Sequence, residues 1–125
     1  MSGFTLDAGA LIAAERGNGR MIALLHRAAT SGIPLAIPAG ALAQVWRATP
    51  RQHRLHLLLA DDDVEVVALD RDEALAVGAS CARTGTSDIV DASVVVCASA
   101  RHHAVVTSDP IDIARLDPAL PTITI

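Results

Sequence analysis

Lysine is missing altogether: all ten basic residues of the 125-residue chain are arginine. That absence removes several classes that place an aspartate at a strand end. A receiver domain needs a lysine near its last strands. A haloacid-dehalogenase-type phosphatase needs a lysine and Asp-x-Asp, where this chain reads Asp7-Ala8-Gly9. A P-loop enzyme needs the lysine of its phosphate loop, and no Gly-x-Gly-x-x-Gly is present for a dinucleotide. Aromatics are nearly absent too: Phe4 and Trp46 are the only two, so the core must be built from Ala, Val, Leu and Ile. The two cysteines, Cys81 and Cys97, lack metal-site spacing and are expected to be buried thiols. No apolar run approaches the ~18 to 20 residues that span a bilayer. No basic region followed by a long apolar stretch opens the sequence, so the expected location is the cytoplasm.

What is present is apolar and unevenly charged. Hydrophobic residues make up 51% of the chain and the mean hydropathy is +0.39, enough for one substantial core, and the length suits a single domain over 1–125. The net charge of −4 conceals two unlike halves. Residues 1–60 carry six arginines against Asp7 and Glu15; residues 61–125 carry twelve acids against four arginines.

The hydrophobic periodicity alternates between short β-like runs and helical segments. Strands are predicted at 3–7, 33–38, 64–69, 104–107 and 122–125. Helices are predicted at 8–17, 19–32 and 39–47, then from a Thr49-Pro50 start through Leu59, where Thr49 would cap and Pro50 would open the first turn. Further helices are predicted from the Asp70 cap to about Arg83, at 88–101 and at 110–116. The segment 88–101 is too long and apolar for most strands, and Ser87 or Asp88 would cap it. The order β-α-α-β-α-α-β-α-α-β-α-β implies an α/β fold, a three-layer sandwich around a mostly parallel central sheet.

In such a sheet, ligands bind at the carboxyl ends of the strands. Asp7 and Asp109 sit where strands end, and Asp88 and Asp91 lie three residues apart on one face of a helix start. Asp7, Asp88 and Asp109 are also good N-caps. Asp91 is not explained that way: it is past the cap and leads directly into Ala-Ser-Val-Val-Val. Carboxylates gathered on one rim repel one another unless a cation neutralises them, and oxygen ligands without His or Cys point to Mg²⁺ or Mn²⁺.

Four segments in order, "TLDAGALIA", "PAGALAQVWR", "SDIVDASVVVCA" and "VVTSDPIDI", resemble PIN-domain ribonucleases, most closely the VapC-like toxins of bacterial toxin–antitoxin pairs. The resemblance covers essentially the whole chain. It implies a metal-dependent endoribonuclease with Asp7, Asp91 and Asp109 as catalytic metal ligands. Asp88 and Asp112 match positions that are often acidic and stand as auxiliary ligands. The family's usual Glu in the helix after the second strand is replaced by Gln44, which keeps a carbonyl oxygen but loses the charge. The resemblance further implies an RNA substrate, a cognate antitoxin protein and a homodimer, for which the apolar helices at 8–15 and 38–47 offer a candidate interface. Water attack on the phosphodiester would leave a 3′-hydroxyl and a 5′-phosphate.

An acidic site must still receive a polyanion, which needs basic residues at its edge. Arg47, Arg51 and Arg54 are candidate phosphate contacts, with a solvated helix face as the alternative. Thr107 and Ser108 are candidates to hydrogen-bond either a ligand carboxylate or the RNA phosphate, against a plain solvated turn. Trp46 pairs with Leu42 at helical spacing and reads as core rather than as a base-stacking platform. The competing function is a catalytically weak or inactive PIN-fold binding module, for which Gln44 would be the sign.

Overall fold

Strand β1 (Phe4–Leu6) is followed by helices α1 (Ala8–Glu15) and α2 (Gly19–Ser31), and β2 (Leu35–Pro38) by α3 (Ala39–Val45) and α4 (His53–Leu59). Next come β3 (Val64–Val67), α5 (Arg71–Thr84), α6 (Ile89–Arg101), β4 (Ala104–Thr107), α7 (Pro110–Leu116) and β5 (Thr122–Thr124). The computed structural model describes residues 2–125. The predicted element order is observed throughout, and the main differences are strand ends shorter by one or two residues.

All strand pairings are parallel, in the order β3-β2-β1-β4-β5. The sheet is therefore parallel without exception, not merely for the most part. From β1 the chain moves outward to β2 and β3, then returns across the sheet to β4 and β5. Right-handed crossovers accordingly place α1 to α4 on one face and α5 to α7 on the other. In the packing, α1 touches α2, α3 and α4, while α6 touches α5 and α7 and also meets α3.

Small side chains explain how α6 lies so close to the sheet. Ala92, Val94, Cys97 and Ala98 are all fully buried, and α6 packs against β1, β2 and β4 at once. Phe4, Leu6, Leu11, Met21, Ile37, Leu55, Val105, Val106 and Ile113 complete a core with a single aromatic ring. Each buried aliphatic side chain of this size is worth about 1.5–3 kcal/mol. Two helix ends are closed by glycines in the left-handed region, Gly32 at φ 66° and Gly85 at φ 73°.

Two expectations are corrected. The Thr49 side chain makes no capping bond; Pro50–Gln52 form a 3₁₀ turn and α4 begins at His53. The cause is Gln52, whose buried amide turns back to accept from Arg47 N at 2.8 Å and to donate to the Val45 carbonyl at 2.9 Å. Cys97 is buried as expected, but Cys81 is only half-buried, and both thiols are free. The α1 helix, a candidate subunit interface, is partly enclosed within its own chain. None of its residues is exposed, because α2, α3 and α4 surround it. In α3 the buried side chains are Ala41 and Val45, which face inward. Among the described residues no helix is long and apolar enough to cross a membrane.

Candidate active site

The reversal of strand order falls between β1 and β4, so the carboxyl ends of these two strands form the crevice of the sheet. Asp7 ends β1 and Asp109 follows β4. Each is also an N-cap, as the sequence suggested: Asp7 Oδ1 accepts from Ala10 N at 2.8 Å and Asp109 Oδ1 from Asp112 N at 3.3 Å. Asp88 caps α6 by accepting from Asp91 N at 3.0 Å. Three helix N-termini, α1, α6 and α7, thus present their capping carboxylates on one rim, in the favourable end of each helix dipole.

Capping does not discharge the whole set. Asp7 is 8% exposed, and burial pushes its pKa up, against hydrogen bonds from Thr107, Ala10 and Gly9 that pull it down; Asp109 adds repulsion. Asp91 makes no cap and is half-buried. Burial, then the neighbouring Asp88, then Asp112 and Asp7, push its carboxyl up to about 6. Asp112 is raised by its hydrogen bond and charge interaction with Asp109, although Arg115 lies 3.3 Å away. The five acids therefore feel one another as a group.

The loops that bring them together are closely fitted. Thr107, fully buried, accepts from Asp109 N at 2.8 Å while acting on Asp7. A hydroxyl engaged in this way positions two carboxylates. Of the two roles considered for Thr107, these contacts are those of the first, with the side chain turned to the carboxylates. Ser108 is exposed and approaches Gly9 so closely that a Cβ at Gly9 would collide with its Oγ. Arg115, which the sequence reading missed, lines a cleft of about 310 Å³ together with Thr86, Asp88, Asp91 and Asp112. Its only sequence signal was a position one turn beyond Asp112.

The three arginines proposed to meet phosphate are not on this rim. The Arg54 guanidinium lies against Gly17, just past the end of α1, with Cζ 3.0 Å from where a Cβ would stand. Asp7 is at the other end of that eight-residue helix, about 12 Å away. Arg47 turns back on its own helix, donating to the carbonyls of Trp46 at 2.7 Å and Ala43 at 3.4 Å. Arg51 is exposed and forms no ion pair among the described residues. Trp46 is half-buried, not enclosed; it packs on the core and also borders a surface cleft.

No family model matches the chain, and no curated protein is significantly similar to it. Its three-dimensional structure does have relatives. It is similar to a chain in the crystal structure of VapBC2 from Rickettsia felis bound to a DNA fragment from their promoter, with TM-score 0.73, 16% identity and 98% of each chain covered. A chain of DNA-bound VapBC from Salmonella typhimurium matches at TM-score 0.69 and 20% identity, over 99% of this chain and 98% of that one. A toxin–antitoxin complex from Klebsiella pneumoniae matches at 0.68 and 17%, over 98% and 97%. The chain has a VapC-like PIN fold.

On this PIN fold the acids read from the sequence share one rim, but as they stand they do not form a closed metal cage. Among the described residues, no three Asp, Glu, His or Cys side chains form a group that can hold an ion. The donor chemistry still suits a hard cation: oxygen ligands only, mutually repelling, with the Asp91 carboxyl pushed up to about 6 by burial and then by its acidic neighbours. Gln44 is exposed on α3, one turn beyond Gly40, and the Gly40 position faces Val90 and Ser93 of α6 at 3.8 and 3.9 Å. It brings no charge to the rim.

Proposed function

We propose that this chain is the toxin of a toxin–antitoxin pair, acting in the cytoplasm as an Mg²⁺- or Mn²⁺-dependent endoribonuclease. The observation that carries this reading is Asp91. Its carboxyl sits half-buried at the head of an apolar helix, pushed up to about 6 among Asp88, Asp112 and Asp7, an arrangement that a cation would relieve. Asp7, Asp91 and Asp109 would hold the ion, with Asp88 and Asp112 as auxiliary ligands. When bound, such an ion lowers the pKa of water and offsets charge on a scissile phosphate. The chain's own contributions are positional. Thr107 sets the directions of Asp7 and Asp109, Gly9 lets the β4–α7 loop approach α1, and Arg115 and Ser108 present donors at the edge of the rim.

An antitoxin partner and a homodimer belong to the same proposal. They are supported by the fold shared with toxin–antitoxin complexes and by Ile89 and Ile111, which stand 57% and 64% exposed beside the acids. A second reading, a weak or inactive binding module, is favoured by Gln44 and by the absence of a closed acid cluster. One experiment separates the two. Expression of the wild type should arrest growth and generate new RNA 5′ ends, and Asp7→Asn should do neither. Equal growth and identical 5′-end maps for both proteins would leave only the binding module.

A further inference from the structure

The far end of α1 carries a feature that the nuclease reading does not use. Trp46, Ala48, Thr49, Pro50, Gln52, His53 and His56 line an open cleft of about 410 Å³. Trp46 is the only tryptophan of the chain. The cleft's floor is held in shape by the two hydrogen bonds of Gln52, which is 2% exposed. The same connection holds Ala48 at φ 57°, a left-handed conformation unusual for a residue with a Cβ.

The surroundings are basic and unneutralised. Among the described residues, none of Arg16, Arg20, Arg47, Arg51 and Arg54 forms a salt bridge. Arg51 is exposed in the turn that forms one wall, and Arg54 follows in the first turn of α4. An indole face, two imidazoles and a free guanidinium around one cleft offer stacking to a base and charge to its phosphate. That chemistry suits single-stranded nucleic acid without a sequence code.

We infer that the cleft bounded by Trp46, Pro50, His53 and His56 is a second RNA-binding site, at the opposite end of α1 from the acids, which seats one unpaired base of the substrate strand while Arg51 contacts its backbone. This rests on RNA being the substrate and adds where the strand is gripped away from the cut. The acid rim repels a polyanion, and the grip supplies the attraction that the rim lacks.

Trp46 makes the test direct, because with no tyrosine present all indole-region emission comes from the cleft. The Asp7→Asn protein, in EDTA, is titrated with a 5′-labelled single-stranded RNA of about ten nucleotides, within the range of such sites. Label anisotropy is followed alongside Trp46 emission. We expect saturable quenching that tracks the anisotropy. Arg51→Ala should reduce the salt slope by about 0.7, one phosphate's share for a single strand. His56→Ala should weaken binding several-fold. Both residues are exposed, and circular dichroism checks that both variants fold. Anisotropy that saturates with unchanged Trp46 emission and no effect of Arg51→Ala overturns the inference, as does quenching by an acidic peptide but not by RNA. Cleavage by the wild type with Mn²⁺ is scored separately. Cleavage without quenching rejects the cleft alone, and quenching without cleavage rejects the nuclease alone.

Discussion

The two ends of α1 face opposite electrostatic problems. At its N-terminus, Asp7 joins Asp88, Asp91, Asp109 and Asp112; burial raises the pKa of Asp7 and Asp91, and the neighbouring Asp109 raises that of Asp112. At its C-terminus, Arg54 packs on Gly17 near Arg16 and Arg51, and no acid pairs with any of them among the described residues. One end has five acids against the single Arg115, and the other has cations without an acid partner among the described residues. Neither imbalance stabilises an isolated fold. Both make sense together if a divalent ion completes the first end and a polyanion completes the second.

Breaking the acid end should produce the largest effect. Asp7→Asn or Asp91→Asn is expected to lower RNA cleavage by at least about 100-fold, the scale for losing one group that stabilises charge in a transition state. Binding of RNA at the far end should persist. Cleavage within a few-fold of wild type in both variants would separate the acids from catalysis. Breaking the basic end at its support comes next. Gln52→Leu leaves the Arg47 N–H and the Val45 carbonyl without the side-chain amide that now meets them, a loss of about 2 kcal/mol for a buried pair, readable as a lower urea midpoint. A midpoint equal to wild type would mean that water replaces the amide and that the cleft floor is not rigid.

A smaller effect sharpens the contrast from the acid side. In metal-free protein at neutral pH, Asp91 is a half-buried charge among like charges, so Asp91→Asn should raise stability. A carboxyl moved from 3.8 to about 6 sets an upper bound of roughly 3 kcal/mol, which solvent screening of a half-exposed group cuts to about 1. Mn²⁺ should then raise the melting temperature of the wild type and leave the variant nearly unmoved. Equal Mn²⁺ shifts in both would place the ion elsewhere.

Much of the fold was legible because local and global signals agreed. The β4 strand and α7 follow the reading residue for residue, and the parallel sheet follows from the alternation of strands and helices. The places of Asp7, Asp91 and Asp109 in the fold were legible because they fall at strand ends and helix starts, where a short polar residue has a defined direction. What was hidden depends on packing in space. Nothing local tells that Arg47 will turn back on the carbonyls of α3 or that Arg54 will close over Gly17. Trp46 read as core from its spacing with Leu42. Its outward side is set by Gln52, seven residues from the carbonyl it holds. Arg115 was missed because its value comes only from the α7 turn that lays it beside Asp112.

The smallest predicted effect concerns a third place, at the start of the strands, where neither metal nor RNA is involved. His103 is 5% exposed, its Nδ1 lies 3.0 Å from the Thr5 hydroxyl, and a Cβ at Gly3 would crowd its Nε2. Burial, and then Arg101, lower its pKa from 6.5, with Glu65 acting the other way. The folded protein therefore binds the proton less readily than the unfolded chain. Its contribution is fully present above pH 6.5 and is lost progressively as pH falls below that value. The carboxyls of the acid rim act with opposite sign: raised in the folded state, they cost stability as pH rises through an overlapping window. The wild-type curve alone therefore mixes the two. Subtracting His103→Gln isolates the histidine, because every other titrating group is common to both proteins. The difference should vanish in slope above pH 6.5 and tilt below it, with wild type losing ground. A flat difference curve would mean that the imidazole charges in place, within reach of Glu65, without disturbing the core.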